Sequence, residues 1–322
     1  MKKRVSVVVP IYNEEQGIKQ FLSEQLFPEL KNLSGSYNFE VILVDDGSED
    51  KTAEIVRAEI LREKSMKSRM LCFTRNFGKE VALTAGIMAA KDSDAVIMID
   101  SDGQHPVEAI PKMLERWESG AKVVTAMRSR NKTQHKAGSK IFYKTMRLLG
   151  DKNIIEGAMD FRLIDHKVAE DYARFSEHMR ITRGLIDWLG YPQEYISVEL
   201  KGRKYGDGTY SFRKLLKLAG DSFVSMTRTP LAIFGYLGLF ITVLSLLLGL
   251  FILIQQYILG DPLGLDWSGA VAMCVFISFL VGLVLISQAI TALYISQIHI
   301  EAKNRPLFVI DDDKSEGAIE KK

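Results

Sequence analysis

Residues 95–106 read AVIMIDSDGQHP, and the interpretation of the whole chain depends on this stretch. Its first five residues, 95–99, have the composition of a strand buried in a parallel sheet. Asp100 and Asp102 follow directly. Carboxylates are costly to bury without a partner, and open α/β sheets bind ligands at the carboxyl ends of their strands. The stretch therefore predicts a ligand site at the end of this strand.

The polar residues after the strand allow two interpretations. Oxygen atoms of Asp100 and Asp102, with the side-chain amide of Gln104, suit a hard divalent cation that could hold a diphosphate. Alternatively, an Asp and a Gly before Pro106 would form a turn and begin a helix. The spacing of His105 to the other histidines is not that of a metal site, so we expect His105 to cap the turn.

Strands and helices alternate before the second half of the chain. The predicted strands are 5–10, 39–44, 70–73, 95–99 and 122–126, and the predicted helices are 16–30, 52–63, 79–90 and 106–117. Such alternation is typical of an α/β fold with a mostly parallel sheet and helices on both faces. Polar turns at 12–15, 45–48 and 100–105 would meet at the carboxyl edge of this sheet.

The turn after the first strand separates classes of nucleotide-binding fold. A dinucleotide-binding unit would carry G-x-G-x-x-G and a P-loop G-x-x-x-x-G-K-[ST], whereas residues 10–14 here read PIYNE. Acidic side chains do not bind phosphate directly, so Asp100 and Asp102 would need a bridging cation. Glu14 and Asp46 are better suited to accept hydrogen bonds from a base or a ribose.

Composition and cysteine spacing limit the possible partners. The chain has 322 residues, of which 47% are hydrophobic, so a globular part can bury a large core. The formal net charge of +2 indicates no particular class of partner, and we expect no nucleic acid among the partners. Cys72 and Cys274 match neither a metal site nor a disulfide framework, and we interpret both as packing residues.

Two apolar runs predict transmembrane helices at about 231–254 and 270–295. The loop between them contains Asp261 and Asp266 but no Lys or Arg, while basic residues lie on the other side of each run. By the positive-inside bias, both termini are expected to be cytoplasmic. Two buried helices of a soluble protein are the alternative.

The domain organisation follows from these runs. We predict a cytoplasmic domain at 1–210, an amphipathic juxtamembrane helix at 211–229, the transmembrane region at 230–296 and a cytoplasmic tail at 297–322. The segment 211–229 could instead pack on the sheet as a soluble helix. Beyond Ile310 the tail is highly charged, and we expect it to be disordered.

Four motifs resemble, in their order, those of family 2 inverting glycosyltransferases with a GT-A fold. They are PIYNEE at 10–15, VDDGSEDKT at 44–52, RNFGKEVAL at 75–83 and DSDGQHP at 100–106. More narrowly, the chain resembles the polyprenyl-phosphate glycosyltransferases, which include dolichol-phosphate mannose synthase and the bactoprenol glucosyltransferases. The resemblance continues through MDFRLIDHKV at 159–168 and into the apolar runs. These motifs are specific for the superfamily and much less specific for the sugar.

The resemblance implies a role for each matching residue. The donor nucleotide would be bound by Pro10, Tyr12, Glu14, Asp46, Arg75 and Asp100. Mg2+ or Mn2+ would be held by Asp100, Asp102 and Gln104. The acceptor phosphate would be bound by Arg128, Arg130, Lys140 and Arg203. The catalytic residues would be Asp102 and Asp160.

Some of these assignments have alternatives. A phosphate monoester has a second pKa near 6 and needs little deprotonation at neutral pH, so Asp160 could orient other groups instead of acting as a base. Asp160 could also be a cap paired with Arg162, and Asp45 and Asp46 could cap their turn. Relatives commonly carry Arg-x-x-Gly-x-Ser-Lys-Tyr where this chain reads RKYGDGTY at 203–210, so the Ser and Lys of that motif are replaced.

The implied activity is the transfer of a hexose, with glucose as the leading candidate, from a UDP-sugar to undecaprenyl phosphate. The transfer would invert the anomeric centre and take place at the bacterial inner membrane. The implied partners are the UDP-sugar, the polyprenyl phosphate and the membrane, and the sequence leaves homo-oligomerisation open. Alternatives are a polyprenyl-phosphate mannose or aminoarabinose synthase, a processive polysaccharide synthase and a catalytically silent scaffold that binds nucleotide sugars. A processive synthase would carry Gln-x-x-Arg-Trp late in its domain, whereas Arg116-Trp117 here comes early and follows Met113.

Overall fold

The computed structural model describes residues 2–128, 158–178, 180–199, 247, 254 and 269–315. The chain divides into two compact units. The first contains Met1–Tyr143, Asn153–Thr209 and Arg305–Lys322, and the second contains Lys144–Lys152 and Tyr210–Asn304. The predicted juxtamembrane helix at 211–229 lies outside the described residues, as does nearly all of the predicted span at 231–254.

Seven strands of the described residues form one sheet in the first unit, in the order β3-β2-β1-β4-β6-β5-β7. They are β1 Lys3–Ile11, β2 Tyr37–Asp45, β3 Lys67–Cys72, β4 Ala95–Met98, β5 Val123–Arg128, β6 Ala158–Asp165 and β7 Gln193–Val198. The pairings β1 with β2, β1 with β4, β2 with β3 and β5 with β7 are parallel. Strand β6 runs antiparallel between β4 and β5. The mostly parallel sheet is therefore confirmed, and β6 and β7 are additions to the predicted strands.

The helices lie close to their predicted positions. Helix α1, Ile18–Gln20, continues through a π-helical segment, Phe21–Leu26, into α2, Phe27–Leu33, where one helix was predicted. The others described here are α3 Thr52–Arg62, α4 Lys79–Ala89, a 3-10 turn Val107–Ala109, α5 Ile110–Glu118, α6 His166–Ala173, α7 Thr182–Trp188 and α8 Gly269–Ala302. Helix α6 begins where the Asp165 carboxylate accepts a hydrogen bond from the amide of Lys167, which satisfies a free N–H of its first turn.

The helices of the first unit cover both faces of the sheet. Val7 and Val9 of β1 pack with apolar residues from α1 to α3 and from α5, whereas Val8 packs with residues of α4, α6 and α7. Alternate residues of a strand point to opposite faces, so this division follows from the strand itself. A Cβ on Gly86 of α4 would lie 2.2 Å from Cγ1 of Val8. Glycine at this position lets α4 lie directly on β1.

The order of the strands places a crevice beyond β1 and β4. Strand β1 has β2 on one edge and β4 on the other, although β4 comes later in the chain than β3. In open α/β sheets, ligands bind at the carboxyl edge where the strand order reverses in this way. The predicted polar turns at 12–15 and 100–105 follow β1 and β4, so they border this crevice.

Residues 305–315 form a C-terminal segment that packs on the edge strand β3. Phe73 forms an antiparallel bridge with Ile310, and the ring of Phe308 stacks on that of Phe73 with centroids 5.2 Å apart. The amide of Asp311 donates to the carbonyl of Cys72 at 2.8 Å. The Arg57 guanidinium donates to the carbonyl of Lys314 at 2.6 Å. The segment thus satisfies backbone groups that an open sheet edge would expose.

Two predictions about this region have different outcomes. Disorder beyond Ile310 is wrong for Asp311–Ser315, whose backbone bonds to β3 and α3 hold them in place. Cys72 is a buried packing residue, as predicted, and is not in a disulfide. Burial, together with the charge of Asp45, raises the pKa of the Cys72 thiol to about 11. This thiol is therefore mostly protonated at neutral pH.

Helix α8 in the second unit has 34 residues and contains the predicted span at 270–295. In the part of the chain that the structure describes, no helix has both the length and the apolar composition needed to cross a membrane. Both predicted spans stay predictions.

Replacement of Phe308 by Ala should release the C-terminal segment from β3. Loss of the ring contacts should cost roughly 1–2 kcal/mol, which raises the population with Cys72 uncovered about tenfold. In a Cys274→Ser background, the rate of Cys72 labelling by a thiol reagent should rise accordingly. Val309→Ala is the matched control because its side chain is 44% exposed. Equal labelling rates in the two variants would contradict docking through Phe308.

Candidate active site

The turns after β1 and β2 are joined by hydrogen bonds at the carboxyl edge of the sheet. The amide of Asn13 donates to Oγ of Ser48 at 3.0 Å, and the amide of Glu49 donates to Oδ1 of Asn13 at 2.9 Å. The amide of Glu14 donates to Oγ1 of Thr52 at 2.8 Å. Asn13 has a positive φ of 51°, which asparagine tolerates better than most residues. The two predicted turns therefore form one surface.

Asp46 connects this surface to the start of α4. Its buried carboxylate accepts hydrogen bonds from the amides of Phe77, at 2.7 Å, and Gly78, at 2.9 Å. Burial raises the pKa of Asp46, and these amide bonds act in the opposite direction. Asp45 caps its turn, which was one of the alternatives that the sequence allowed. Its Oδ1 accepts a hydrogen bond from the amide of Ser48 at 3.1 Å.

Gly47 allows the turn after β2 to lie against the chain before α4. Its φ is +71°, and a Cβ there would lie 2.5 Å from the backbone carbonyl carbon of Arg75. L-residues with a side chain rarely adopt that φ, and no backbone atom can be approached so closely. Glycine is therefore required for the contact that brings Asp46 to Phe77 and Gly78.

Lys79, the first residue of α4, connects two of the predicted site residues. Its ammonium lies 2.8 Å from Oδ1 and 2.9 Å from Oδ2 of Asp100. The same nitrogen lies 3.1 Å from Oδ2 of Asp160. Asp100 follows β4 and Asp160 belongs to β6, so three separate elements meet at this ammonium.

The charges at this junction are mutually stabilised. Burial disfavours the charge of Asp160, but Lys79, Arg183 and Arg162 outweigh it and hold the pKa of Asp160 below its ordinary value. For Lys79, burial is likewise outweighed by Asp100 and Asp160, which raise its pKa above the ordinary value. Asp160 is therefore ionised at neutral pH and already has a cationic partner.

The turn after β4 is ordered by its own polar groups. The amide of Gln104 donates to Oδ1 of Asp102 at 3.0 Å, and the amide of Asp100 donates to Nδ1 of His105 at 3.3 Å. The imidazole also stacks on Phe161, with ring centroids 5.5 Å apart. The prediction that His105 caps the turn is confirmed.

Arg162 does not pair with Asp160. Its buried guanidinium forms an ion pair with Asp187 at 2.7 Å, while Asp160 pairs with Lys79. The interpretation of Asp160 as a cap paired with Arg162 is therefore wrong. Arg162 still acts on Asp160 at longer range, as one of the charges that lower the carboxyl pKa.

Comparison with known proteins gives the family. The family model described as "Glycosyl transferase family 2" matches residues 6–173, which is more than half of the chain. The chain belongs to glycosyl transferase family 2. This match, together with the mostly parallel α/β sheet, supports the expected GT-A fold.

The relatives of this glycosyltransferase match along nearly all of its length. "Bactoprenol glucosyl transferase" of Shigella phage SfV is 35% identical over 315 residues, which cover 97% of this chain and 99% of that protein. "Uncharacterized glycosyltransferase YkcC" of Bacillus subtilis is 33% identical over 320 residues, 98% of this chain and 95% of that protein. A solved glucosyl-3-phosphoglycerate synthase from Mycobacterium tuberculosis, in complex with Mn2+ and UDP-glucose, has 16% identity and a TM-score of 0.47. That alignment covers 70% of this chain and 78% of that one.

The other predicted site residues of this glycosyltransferase have different surroundings. Tyr12 is 42% exposed beside the joined turns, whereas Pro10 is buried within β1. The guanidinium of exposed Arg75 lies 4.0 Å from the centre of the Phe77 ring. Arg128 is exposed at the end of β5. The remaining acceptor-phosphate residues, Arg130, Lys140 and Arg203, lie outside the described residues.

Lys79 is the site residue that the sequence analysis missed. It lies within the quoted motif RNFGKEVAL but was given no role. One signal was available, because the helix dipole disfavours a lysine at the first position of a helix, and a nearby carboxylate would offset this. Which carboxylates supply that partner depends on strands 21 and 81 residues further along the chain.

Replacement of Gly47 by Ala should destabilise the folded protein. The strained φ and the backbone clash should together cost at least about 2 kcal/mol. Gly35→Ala is the matched control, because nothing lies within 4 Å of a Cβ built there. Thermal unfolding of the two variants should show a clear loss of stability for Gly47→Ala alone. Similar melting temperatures would show that the turn after β2 can move away from Arg75 at little cost.

Proposed function

We propose that this glycosyltransferase transfers glucose from UDP-glucose to undecaprenyl phosphate. The observation that carries the proposal is identity of about 35%, over nearly the whole chain, to several proteins named bactoprenol glucosyl transferase. The similarity extends beyond the family-model match at residues 6–173 into the part of the chain with the two apolar runs. A soluble acceptor would give no reason for similarity to continue there.

The proposed reaction is a single displacement. An oxygen of the lipid phosphate attacks the anomeric carbon of glucose and forms the new carbon–oxygen bond. The bond from that carbon to the β-phosphate oxygen of UDP breaks, and UDP leaves with the electron pair. Attack opposite the leaving group inverts the anomeric centre, so the product is a β-linked polyprenyl phosphoglucose.

A divalent cation, Mg2+ or Mn2+, is part of the proposal. Among the described residues, no group of three or more His, Cys, Asp or Glu side chains is arranged to hold a metal. Asp100 and Asp102 nevertheless supply hard oxygen atoms two residues apart, and Asp100 already carries a positive partner in the Lys79 ammonium. We propose that Asp100, Asp102 and Gln104 hold the cation, with further oxygens from the diphosphate and water. When bound, it would stabilise charge on the departing diphosphate.

The remaining assignments concern the donor and the acceptor. Tyr12 and Glu14 are proposed to contact the nucleoside of UDP. The hydrogen bonds that join their turn to the turn after β2 support a fixed pocket for it. Asp46 is proposed to act there too, although its carboxylate already bonds to Phe77 and Gly78. The donor would also meet Pro10, Arg75 and Asp100, and the acceptor phosphate would meet Arg128, Arg130, Lys140 and Arg203.

Asp160 is proposed to position groups and not to remove a proton. The acceptor phosphate has a second pKa near 6, so it is mostly a dianion at neutral pH and already carries the attacking lone pair. A carboxylate held in its charged form by Lys79 would repel such a dianion unless the ammonium remained between them. The role of Asp160 therefore depends on where Lys79 lies.

The proposed setting is the bacterial inner membrane, with two spans at about 231–254 and 270–295 and both termini in the cytoplasm. The support is the length of the two apolar runs and the acidic loop between them. This arrangement would keep residues 1–210 on the side of the membrane where nucleotide sugars are made.

The reaction should be visible as transfer of label from UDP-[14C]glucose to undecaprenyl phosphate by the full chain in detergent with Mg2+ or Mn2+. Asp102→Ala should lower the rate at least about 100-fold, because the cation that stabilises the leaving diphosphate would lose one of its ligands. Asp92→Ala, an exposed carboxylate at the opposite end of β4, is the matched control and should keep full activity. NMR of the product should show the β anomer.

Two results would overturn parts of this proposal. A labelled lipid formed only from another nucleotide sugar would replace glucose and keep the reaction class. Saturable UDP-glucose binding with no labelled lipid would reject transfer to undecaprenyl phosphate and favour the silent scaffold.

The membrane topology should be visible by labelling single cysteines in intact cells. In a background with Cys72 and Cys274 replaced by Ser, Ser268→Cys lies in the predicted outer loop and Ala318→Cys in the predicted cytoplasmic tail. A maleimide that does not cross membranes should label the first and not the second. Labelling of both sites, or of Ala318→Cys alone, would contradict the proposed orientation.

A further inference from the structure

We propose that Lys79 is a positioning residue whose ammonium competes with the divalent cation for Asp100. Once the cation binds, the ammonium leaves Asp100 and pairs with Asp160 alone. In that position it would separate Asp160 from the incoming phosphate. This inference rests on the proposed function, because it assumes a cation at Asp100 and a phosphate acceptor.

Asp100 and Asp160 lie close together, so a positive charge is needed between them. Strands β4 and β6 are antiparallel, with Ala95 opposite Asp165 and Met98 opposite Arg162 as their outermost pairs. Asp100 follows Met98 by two residues and Asp160 precedes Arg162 by two, so both carboxylates come just beyond the last pair, where they contact the same ammonium. Like charges held this close repel each other. The Lys79 ammonium, in contact with both, removes that repulsion.

The start of α4 is held so that Lys79 has little choice of position. Asp46 accepts hydrogen bonds from the amide of Gly78 on one side of Lys79. On the other side, the carboxylate of Glu80 accepts from the amide of Thr182 at 2.7 Å. The backbone is therefore fixed on both sides, and the lysine can move only by rotating its side chain.

The hydrogen-bonding capacity of the ammonium leads to the competition. A lysine has three N–H donors and no acceptor, and both oxygens of Asp100 and one oxygen of Asp160 lie within reach of it. A divalent cation needs the same Asp100 oxygens, so it must displace the ammonium from them. Asp160, at 3.1 Å, is the anionic partner that remains. Cation binding would then strengthen the pair of Lys79 with Asp160.

The proposal predicts the sign of two effects on Mn2+ affinity without nucleotide. Lys79→Met removes the competitor, so Mn2+ should bind about three- to tenfold more tightly. Asp160→Asn leaves the ammonium entirely to Asp100, so Mn2+ should bind more weakly. Part of that weaker binding comes from the loss of a nearby negative charge. This part should remain when Asp160→Asn is made in the Lys79→Met background. The lysine-dependent part should therefore disappear in the double variant.

The experiment is a double-mutant cycle on the full chain in detergent, read by the EPR signal of free Mn2+. The matched control is Lys91→Met, which removes the same charge just beyond the other end of α4 and should change the Mn2+ affinity by less than about twofold. Lys79→Arg keeps the charge and should stay close to the wild type. Circular dichroism should verify folding, and Lys79→Gln replaces Lys79→Met if the latter does not fold.

Glucose transfer provides a second readout. Lys79→Met should lower kcat about tenfold or more with a smaller change in the KM for UDP-glucose, since the lysine acts on the acceptor side once the cation is bound. A purely structural role would instead lower both the Mn2+ affinity and the stability.

The outcomes separate this inference from the proposed function. Unchanged or weaker Mn2+ binding in Lys79→Met, or an Asp160→Asn effect that is the same with and without Lys79, would overturn the competition. If the wild type transfers glucose but binds no Mn2+, both the competition and the cation site are rejected and the glucosyl transfer stands. Absence of transfer with intact Mn2+ competition would reject the proposed reaction alone.

Discussion

The structure of the first unit depends on the burial of β1. Each edge of this strand is hydrogen-bonded to a parallel neighbour, β2 on one side and β4 on the other, and both of its faces are covered by helices. From Val5 to Ile11 every side chain of β1 is buried and all but Ser6 are apolar, so charged side chains lie only at its two ends. The same holds for β4, whose four residues are all buried. The acidic residues of the site are therefore concentrated at one edge of the sheet.

Asp45, Asp46, Asp100 and Asp160, which lie at this edge, are each stabilised by a polar or charged partner. Asp45 accepts hydrogen bonds from Ser48, and Asp46 accepts them from the backbone amides that precede α4. Asp100 and Asp160 share the ammonium of Lys79. These contacts are all made by the protein itself. Polar groups that are held in place in this way can stabilise charge that develops during a reaction.

The C-terminal segment connects the far end of the chain to this arrangement. Residues 305–315 follow α8 in sequence and belong to the same compact unit as the sheet. They pair with β3 at Cys72 and Phe73, immediately before the chain that carries Arg75 to Lys79. Phe73 also contacts Phe77, whose amide bonds to Asp46. A shortened protein that ends before Arg305 would lack these contacts, so the catalytic unit is best studied in the full chain.

Local sequence determined much of this protein. The alternation of apolar strands with helices predicted β1 to β5 and the mostly parallel sheet, because burial on two faces makes a strand a short, continuous apolar run that can be read in any single segment. The motifs likewise predicted that Asp46, Asp100 and Asp160 belong to one region. Only the tertiary structure decided which groups touch: the antiparallel insertion of β6, the Lys79 contacts, the pairing of Arg162 with Asp187 and the docking of residues 305–315. Each joins segments far apart in the chain. The pattern of apolar residues carries information about burial but none about which distant segment becomes the neighbour.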